Sequence, residues 1–339
     1  MSAKGRVGLE AVNNGRILNA FSCELEDWFH ILGSDRVPTI DQWDGLTLRV
    51  EQNTEKLLDL FEETGVRATF FCLGWIAEKV PHLVQRCQRA GHEIGSHGYG
   101  HVLAYQVGRK AFRQDILRAK GILEDLTGAE VTGFRSPGFS VKEDNQWLFD
   151  IVAGAGFRYD ASVFPAHHGH GGLRIAPAGP YVIETSHGPL VEIPASTVKV
   201  LGHRVCLFGG GYLRLAPLPL IRWGVRRLHR CGQPLVLYVH PREIDPAHPR
   251  LPLTPWRRFK CYTHLHTTMP KLRWLCEHYR FTTMSAVAAT PMEVPAFLSM
   301  DAQREEEEKN GLLKPATRAG GQLFRWNRHG PATKESTEL

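Results

Sequence analysis

Phe21-Ser22-Cys23-Glu24-Leu25-Glu26-Asp27-Trp28-Phe29-His30 continues a short apolar run that begins at Arg16-Ile17-Leu18-Asn19-Ala20. The run reads as a strand. It carries three carboxylates within four residues to its C-terminal end, with two aromatics and a histidine directly behind them. Like charges this close raise one another's pKa and are unfavourable unless a cation or a shared proton relieves them. Carboxylates at the end of a strand are a common way to build a metal or acid–base site in an α/β protein. Taken alone, the cluster reads equally as a solvated acidic turn.

Working outward, the spacing of Val50, Leu57, Leu58 and Phe61 predicts a helix over 50–63, closed by Gly65. The β-rich apolar stretch 66–73, bounded by Gly74, reads as a buried strand. A helix is expected over 76–90, with Pro81 either in its first turn or dividing two short helices. A strand at 92–97, a helix at 110–126 and a strand at 131–134 follow, and the alternation continues through 147–155 and 157–160. This rhythm predicts βα units and a parallel sheet or barrel. Glycine and proline are dense between 161 and 211, where 181–185 and 190–193 read as a hairpin across Ser186-His187-Gly188. An arginine-rich amphipathic helix at 215–230, a strand at 234–240, a helix at 267–278 and a strand at 281–284 complete the pattern. From 295 the apolar periodicity fades, and the tail 295–339 is expected to be disordered.

At 339 residues the chain fits one large domain with appendages. A net charge of +6 is too small to argue for nucleic acid. Seven cysteines, an odd number with no CxxC pair, suit reduced thiols better than a disulfide framework or a thiolate zinc site. The first residues lack the apolar stretch of a signal peptide, and no run of about 18 apolar residues predicts a transmembrane helix. A cytoplasmic location is the expectation.

His97-Gly98-Tyr99-Gly100-His101 places two histidines four apart just after a predicted strand. On a helical turn they face one way and can close on one metal ion; in an open loop they are two surface histidines. Two histidines with one carboxylate form a recurrent site for Zn²⁺, Fe²⁺ or Co²⁺. Arg135-Ser136-Pro137-Gly138 also follows a strand, and its arginine can pair with a carboxylate or simply belong to a turn. His240 ends the 234–240 strand, at the same end of the core as the others.

In chain order these motifs resemble the NodB-type polysaccharide deacetylases, carbohydrate esterase family 4. That family has an acidic pair ending its first strand, an H-[ST]-x-x-H motif, an R-x-P-x motif and a late L-x-H strand. Glu24 to Asp27, His97 to His101, Arg135 to Gly138 and Tyr238-Val239-His240 stand in those places. Within the family, the match is to the subfamily of exopolysaccharide loci with the PEP-CTERM/exosortase system. It carries a V-E-D-W/Y-F first motif, an H-G-Y-x-H second motif and a C-terminal extension similar to 258–287. The resemblance covers roughly residues 17–287.

It implies a distorted (β/α) barrel of about seven strands with a C-terminal extension. The chain then divides into an N-terminal arm (1–15), a deacetylase domain (16–294, with the extension at about 245–290) and the tail. It also implies a divalent metal, usually zinc, held by His97, His101 and an acid. A first-motif carboxylate would act as base on the attacking water, Arg135 would orient it, and His240 would serve as acid. Glu24 is the expected base with Glu26 or Asp27 at the metal; the alternative register makes Glu26 the base and Asp27 the ligand. Two departures stand out, Glu24 where relatives have aspartate and Gly98 where they have serine or threonine. The N–H of Tyr99 is a candidate oxyanion donor, and Pro137 a candidate at the substrate.

The implied substrate is an N-acetylated glycan, with attendance on membrane-bound glycan synthesis machinery. Hydrolysis of small amides such as allantoin, or a silenced carbohydrate-binding protein, are the rival readings. Trp28, Phe29, Tyr99, Phe139 and Trp147 are candidates for sugar stacking or for core packing. Asp160 supports a catalytic histidine or caps a turn. Arg222, Arg226, Arg227 and Arg230 read as a solvated helix face, or as a contact for an acidic glycan, membrane or partner.

Overall fold

The computed structural model describes residues 17–290; the expected arm at 1–15 and tail at 295–339 lie outside the described residues. Eleven strands are present among them: β1 Asn19–Leu25, β2 Thr69–Cys72, β3 Glu93–Ser96, β4 Gly133–Phe134, β5 Tyr159–Asp160, β6 Tyr181–Thr185, β7 Gly188–Glu192, β8 Thr197–Val200, β9 His203–Cys206, β10 Val236–Val239 and β11 Phe281–Thr282. One sheet runs β10-β1-β2-β3-β4-β5-β7-β6, with β11 beside the start of β1. From β10 to β7 every pairing is parallel, which makes seven parallel strands, and β6 closes the edge as the antiparallel arm of the expected hairpin. Val236 from one end of this order packs in one apolar cluster with Phe71, Tyr159 and Val191 from across the sheet. The sheet is therefore curled into a partial barrel, the expected fold class.

Side chains alternate along a strand, so Ala20, Ser22 and Glu24 share one face of β1. Phe21 and Cys23, on the other face, join the main apolar core with Leu57 and Phe61 of the helix Val50–Thr64. The Phe21 and Phe61 rings meet edge-on at 4.8 Å. That helix ends where the sequence predicts, with Gly65 left-handed at φ +67°. Pro81 divides two helices, Gly74–Lys79 and Pro81–Arg89. The next helix begins at Ala104, earlier than its periodicity predicts, because non-helical Gly108 interrupts the pattern. Sequence reasoning missed the β8–β9 hairpin and the helices Gly210–Leu215 and Pro255–Tyr262. The last of these has no fully buried residue and so no continuous apolar stripe. The cysteines are free thiols, and no helix among the described residues is long and apolar enough to cross a membrane.

Candidate active site

The C-terminal ends of β1, β3, β4 and β10 lie side by side in the sheet or one strand apart, which brings their last residues together. Glu24 and Glu26, two apart, turn into one cluster; the Glu26 N–H donates to the Glu24 carbonyl at 2.9 Å and tightens the exit of β1. Glu26 Oε1 lies 3.0 Å from His97 Nε2 and 2.9 Å from His101 Nε2. Glu24 Oε2 lies 2.8 Å from His240 Nε2, while its Oε1 accepts from Arg135 Nη1 at 3.0 Å. All three carboxylate-facing imidazoles and both glutamates have little or no access to solvent.

The fields inside this cluster set its protonation. Burial alone would raise both glutamates. Instead His240, with Arg135 and His97 behind it, holds Glu24 down to about 2. His101 and His240 hold Glu26 well below the usual carboxylate range. Burial would lower His240, yet Glu24 and Glu26 raise it to about 10. At neutral pH Glu24 is thus an anion beside a protonated His240.

His97 and His101 do not sit on a helical turn. The segment after β3 is a loop with Gly98 at φ +74° and His101 at φ +53°, and it is this reversal that converges the imidazoles. Asp115 holds the loop, accepting from the Tyr99 N–H at 2.8 Å and the Gly100 N–H at 2.9 Å. A Cβ at Gly98 would meet Asp115 Oδ2 at 2.6 Å, so both the positive φ and the close approach favour glycine there. Since the Tyr99 N–H is spent on Asp115, it is not free for an oxyanion, and the Tyr99 hydroxyl bonds outward to Glu78. His97 Nδ1 donates to the Arg135 carbonyl at 2.7 Å, which fixes the ring and turns Nε2 towards Glu26 Oε1 at 3.0 Å.

Arg135 is buried, donating to Ser22 Oγ at 2.7 Å and to the Ala161 carbonyl at 3.1 Å besides Glu24, and it packs against the ring of Phe71. His240 is steered from behind by Glu243, 3.1 Å from its Nδ1, and Arg214 Nε donates to the other Glu243 oxygen at 3.1 Å. Sequence reasoning missed Ser22, Asp115, Arg214 and Glu243. Only Glu243 left a signal, three residues beyond His240 within the turn Pro241–Ile244.

Asp27 stands apart from the others. Its oxygens accept the N–H groups of Trp28, Arg49 and Val50, the latter two opening the helix Val50–Thr64, and it joins neither of the two sets of converging ligand atoms, Glu26–His97–His101 and Glu24–Glu26–His240. Trp28 and Phe29 are buried among Trp43 and Trp75. Trp147 packs on Phe112. Asp160 faces Ser162 and lies beside Glu192, away from the histidines. Pro137 is buried, and the two residues after it, Gly138 and Phe139, line the cavity instead. That cavity, about 430 Å³, opens above Glu24, Glu26, His101 and His240, with Trp256 and Phe259 among its lining residues.

Glu26, His97 and His101 suit a divalent cation. Their atoms Oε1, Nε2 and Nε2 lie within 4.8 Å of one another, the ionised carboxylate brings charge, and at least His97 has its other nitrogen committed elsewhere.

The chain is similar in part to known families and proteins. Residues 38–159 match the family model described as polysaccharide deacetylase, and residues 161–289 match one described as a domain of unknown function (DUF3473). A peptidoglycan-N-acetylglucosamine deacetylase of Bacillus cereus is 34% identical over 119 residues, 32% of this chain and 43% of that protein. A peptidoglycan deacetylase of Helicobacter pylori is 30% identical over 113 residues, 33% of this chain and 38% of that protein. The matched regions thus span less than half the length of these relatives. Among solved structures, a Mycobacterium smegmatis protein assigned as a polysaccharide deacetylase superposes with a TM-score of 0.54 at 20% identity, covering 89% of this chain and 94% of that one. Puue allantoinase superposes with a TM-score of 0.53 at 19% identity, covering 80% and 89%. These two likenesses establish a shared fold, and the similarity to the polysaccharide deacetylase model is confined to residues 38–159.

Proposed function

We propose that this protein is a metal-dependent hydrolase that removes N-acetyl groups from N-acetylhexosamine units of a bacterial exopolysaccharide or its precursor. The observation that carries the reading is the joining of a Glu26–His97–His101 donor set to an ionised Glu24 and a protonated His240 at the foot of one cavity. In this reading Glu26, His97 and His101 hold the cation, and Asp27 serves only the fold. A bound Zn²⁺ or similar ion supplies Lewis acidity for an amide, which is otherwise a poor electrophile.

The chain's own residues do the proton work. Glu24, fixed between Arg135 and His240, takes a proton from the attacking water. His240, oriented by Glu243, gives a proton to the departing amine nitrogen. A substrate that enters between Glu24 and His240 loosens their ion pair and brings both groups nearer to neutrality, where acid and base are most effective. Residues 16–294 act as one deacetylase unit in this proposal, and the 245–290 extension contributes Trp256 and Phe259 to the cavity. An exopolysaccharide of the PEP-CTERM type and attendance on membrane-bound glycan synthesis machinery belong to the same proposal.

The test loads the protein with Zn²⁺ or Co²⁺ and measures acetate release from chitooligosaccharides beside ring opening of allantoin. Acetate release that EDTA and His97→Ala each abolish supports the proposal. Allantoin turnover without acetate would replace it with a small-amide hydrolase, and metal binding without turnover of any N-acetylated glycan would reduce it to binding alone.

A further inference from the structure

The carboxylates that line the cavity are all paired. Glu24 is taken by Arg135 and His240, Glu26 by His97 and His101, and Glu243 by Arg214 and His240. Three further cations line the same cavity, Arg242, Arg257 and Lys260, and none has a carboxylate partner among the described residues. Arg257 donates to the Leu32 carbonyl at 2.7 Å, and Lys260 lies over the Trp256 ring at 5.2 Å. Arg242 has less. Its Nε and Nη1 are enclosed with no hydrogen-bond partner among the described residues.

Arg242 is half-buried: two of its guanidinium nitrogens are enclosed without acceptors, a cost that calls for a functional or structural reason, while the residue as a whole lines the cavity. Arg242 is also held in position. It lies in the turn Pro241–Ile244, two residues beyond His240, so its guanidinium is tied to the same backbone as the proposed acid. It feels the charges of Glu243 and Glu26 without bonding to either. The surroundings are electropositive but otherwise neutral. Burial, and then neighbouring charge that includes Arg257 for His170 and Lys260 for both, pushes His168 and His170 down to about 4, which leaves both uncharged at neutral pH.

We propose that Arg242 recognises an oxyanion, a carboxylate or a phosphate, carried by the glycan close to the acetamido group that reacts. The substrate class is then an acidic N-acetylated glycan rather than a neutral one. This rests on reading the cavity as a deacetylase site, and the experiment separates the two.

Calorimetric binding and turnover are measured on the full-length, zinc-loaded protein. Chitotetraose is compared with a tetrasaccharide alternating N-acetylglucosamine and glucuronate, and N-acetylglucosamine with its 1-phosphate. The expected result is that one anionic probe binds about tenfold or more tighter than its neutral counterpart, the range of one charge-assisted hydrogen bond. Added salt should narrow that preference. Whichever anionic probe carries it identifies carboxylate or phosphate. In Arg242→Met and Arg242→Gln the ratio should collapse towards one, and Arg242→Lys, which keeps the charge, should retain part of it. Circular dichroism verifies that each variant is folded. Equal binding of neutral and anionic probes by the unaltered protein, or a preference that survives in the folded Met and Gln variants, overturns the assignment. Binding preference without acetate release from any probe would refute deacetylation while upholding Arg242.

Discussion

Replacing Glu24 with aspartate tests the catalytic arrangement most directly, because family resemblance and geometry forecast opposite outcomes. Resemblance alone treats Glu24 as a departure, so aspartate would restore the usual residue and raise turnover. The geometry argues the reverse. Glu24 spans two partners, Arg135 Nη1 at 3.0 Å and His240 Nε2 at 2.8 Å, from a strand held on both sides by β2 and β10. Removing one methylene withdraws the carboxylate by about 1.5 Å, one C–C bond. The strand cannot follow without breaking its ladders, so at least one of the two contacts is lost. A hydrogen bond to a charged group contributes about 1.5–3 kcal/mol. Glu24→Asp should therefore lower kcat for acetate release by about 10- to 100-fold. His240, which owes its pKa of about 10 mainly to Glu24 once burial is set against it, should titrate at lower pH. Steady-state kinetics on chitooligosaccharides with NMR titration of His240 provides both readouts. An unchanged kcat would refute the reasoning and move the base to Glu26, while a raised kcat would refute the geometric forecast and keep Glu24 as the base.

Glu243→Gln should set an amide NH₂ against the donors of His240, lowering kcat about tenfold or more with little change in KM, and unchanged kinetics would deny Glu243 its positioning role. Asp115→Ala releases two loop amides bonded at 2.8 and 2.9 Å, and zinc affinity measured by chelator competition should fall about 10- to 100-fold. His92, buried between Phe61 and Phe70, is lowered from 6.5 to about 4 by burial and then by Arg67 and Arg86. The unfolded chain therefore binds this proton first. Stability is whole above pH 6.5 and declines by up to about 3 kcal/mol as pH falls to 4, and urea melts of His92→Gln should lack this increment.

Much of the fold was legible because its signals are local. The apolar spacing of Val50, Leu57, Leu58 and Phe61, the stop at Gly65 and the break at Pro81 act within a few residues, and the structure follows them. Where the local signal weakened, the reading failed. Gly108 hid the start of a helix, and the helix Pro255–Tyr262 buries no residue fully and so has no stripe to find. One question about the acidic cluster was answerable from periodicity. Residues two apart share a face of a strand, which joins Glu24 with Glu26 and leaves Asp27 outside.

The sequence by itself determined the types of residue that reach the strand ends and their order along the chain, since covalent spacing and backbone periodicity carry that information. Only the tertiary structure decided how those groups are used. Glu24 meets Arg135 and His240 across 111 and 216 residues of chain, Asp115 fixes a loop from a neighbouring helix, and Arg214 reaches Glu243 from another. Whether a side chain is a base, a ligand, a cap or an unclaimed donor such as Arg242 depends on which partners surround it. Those partners are assembled only when the parallel strands come into register.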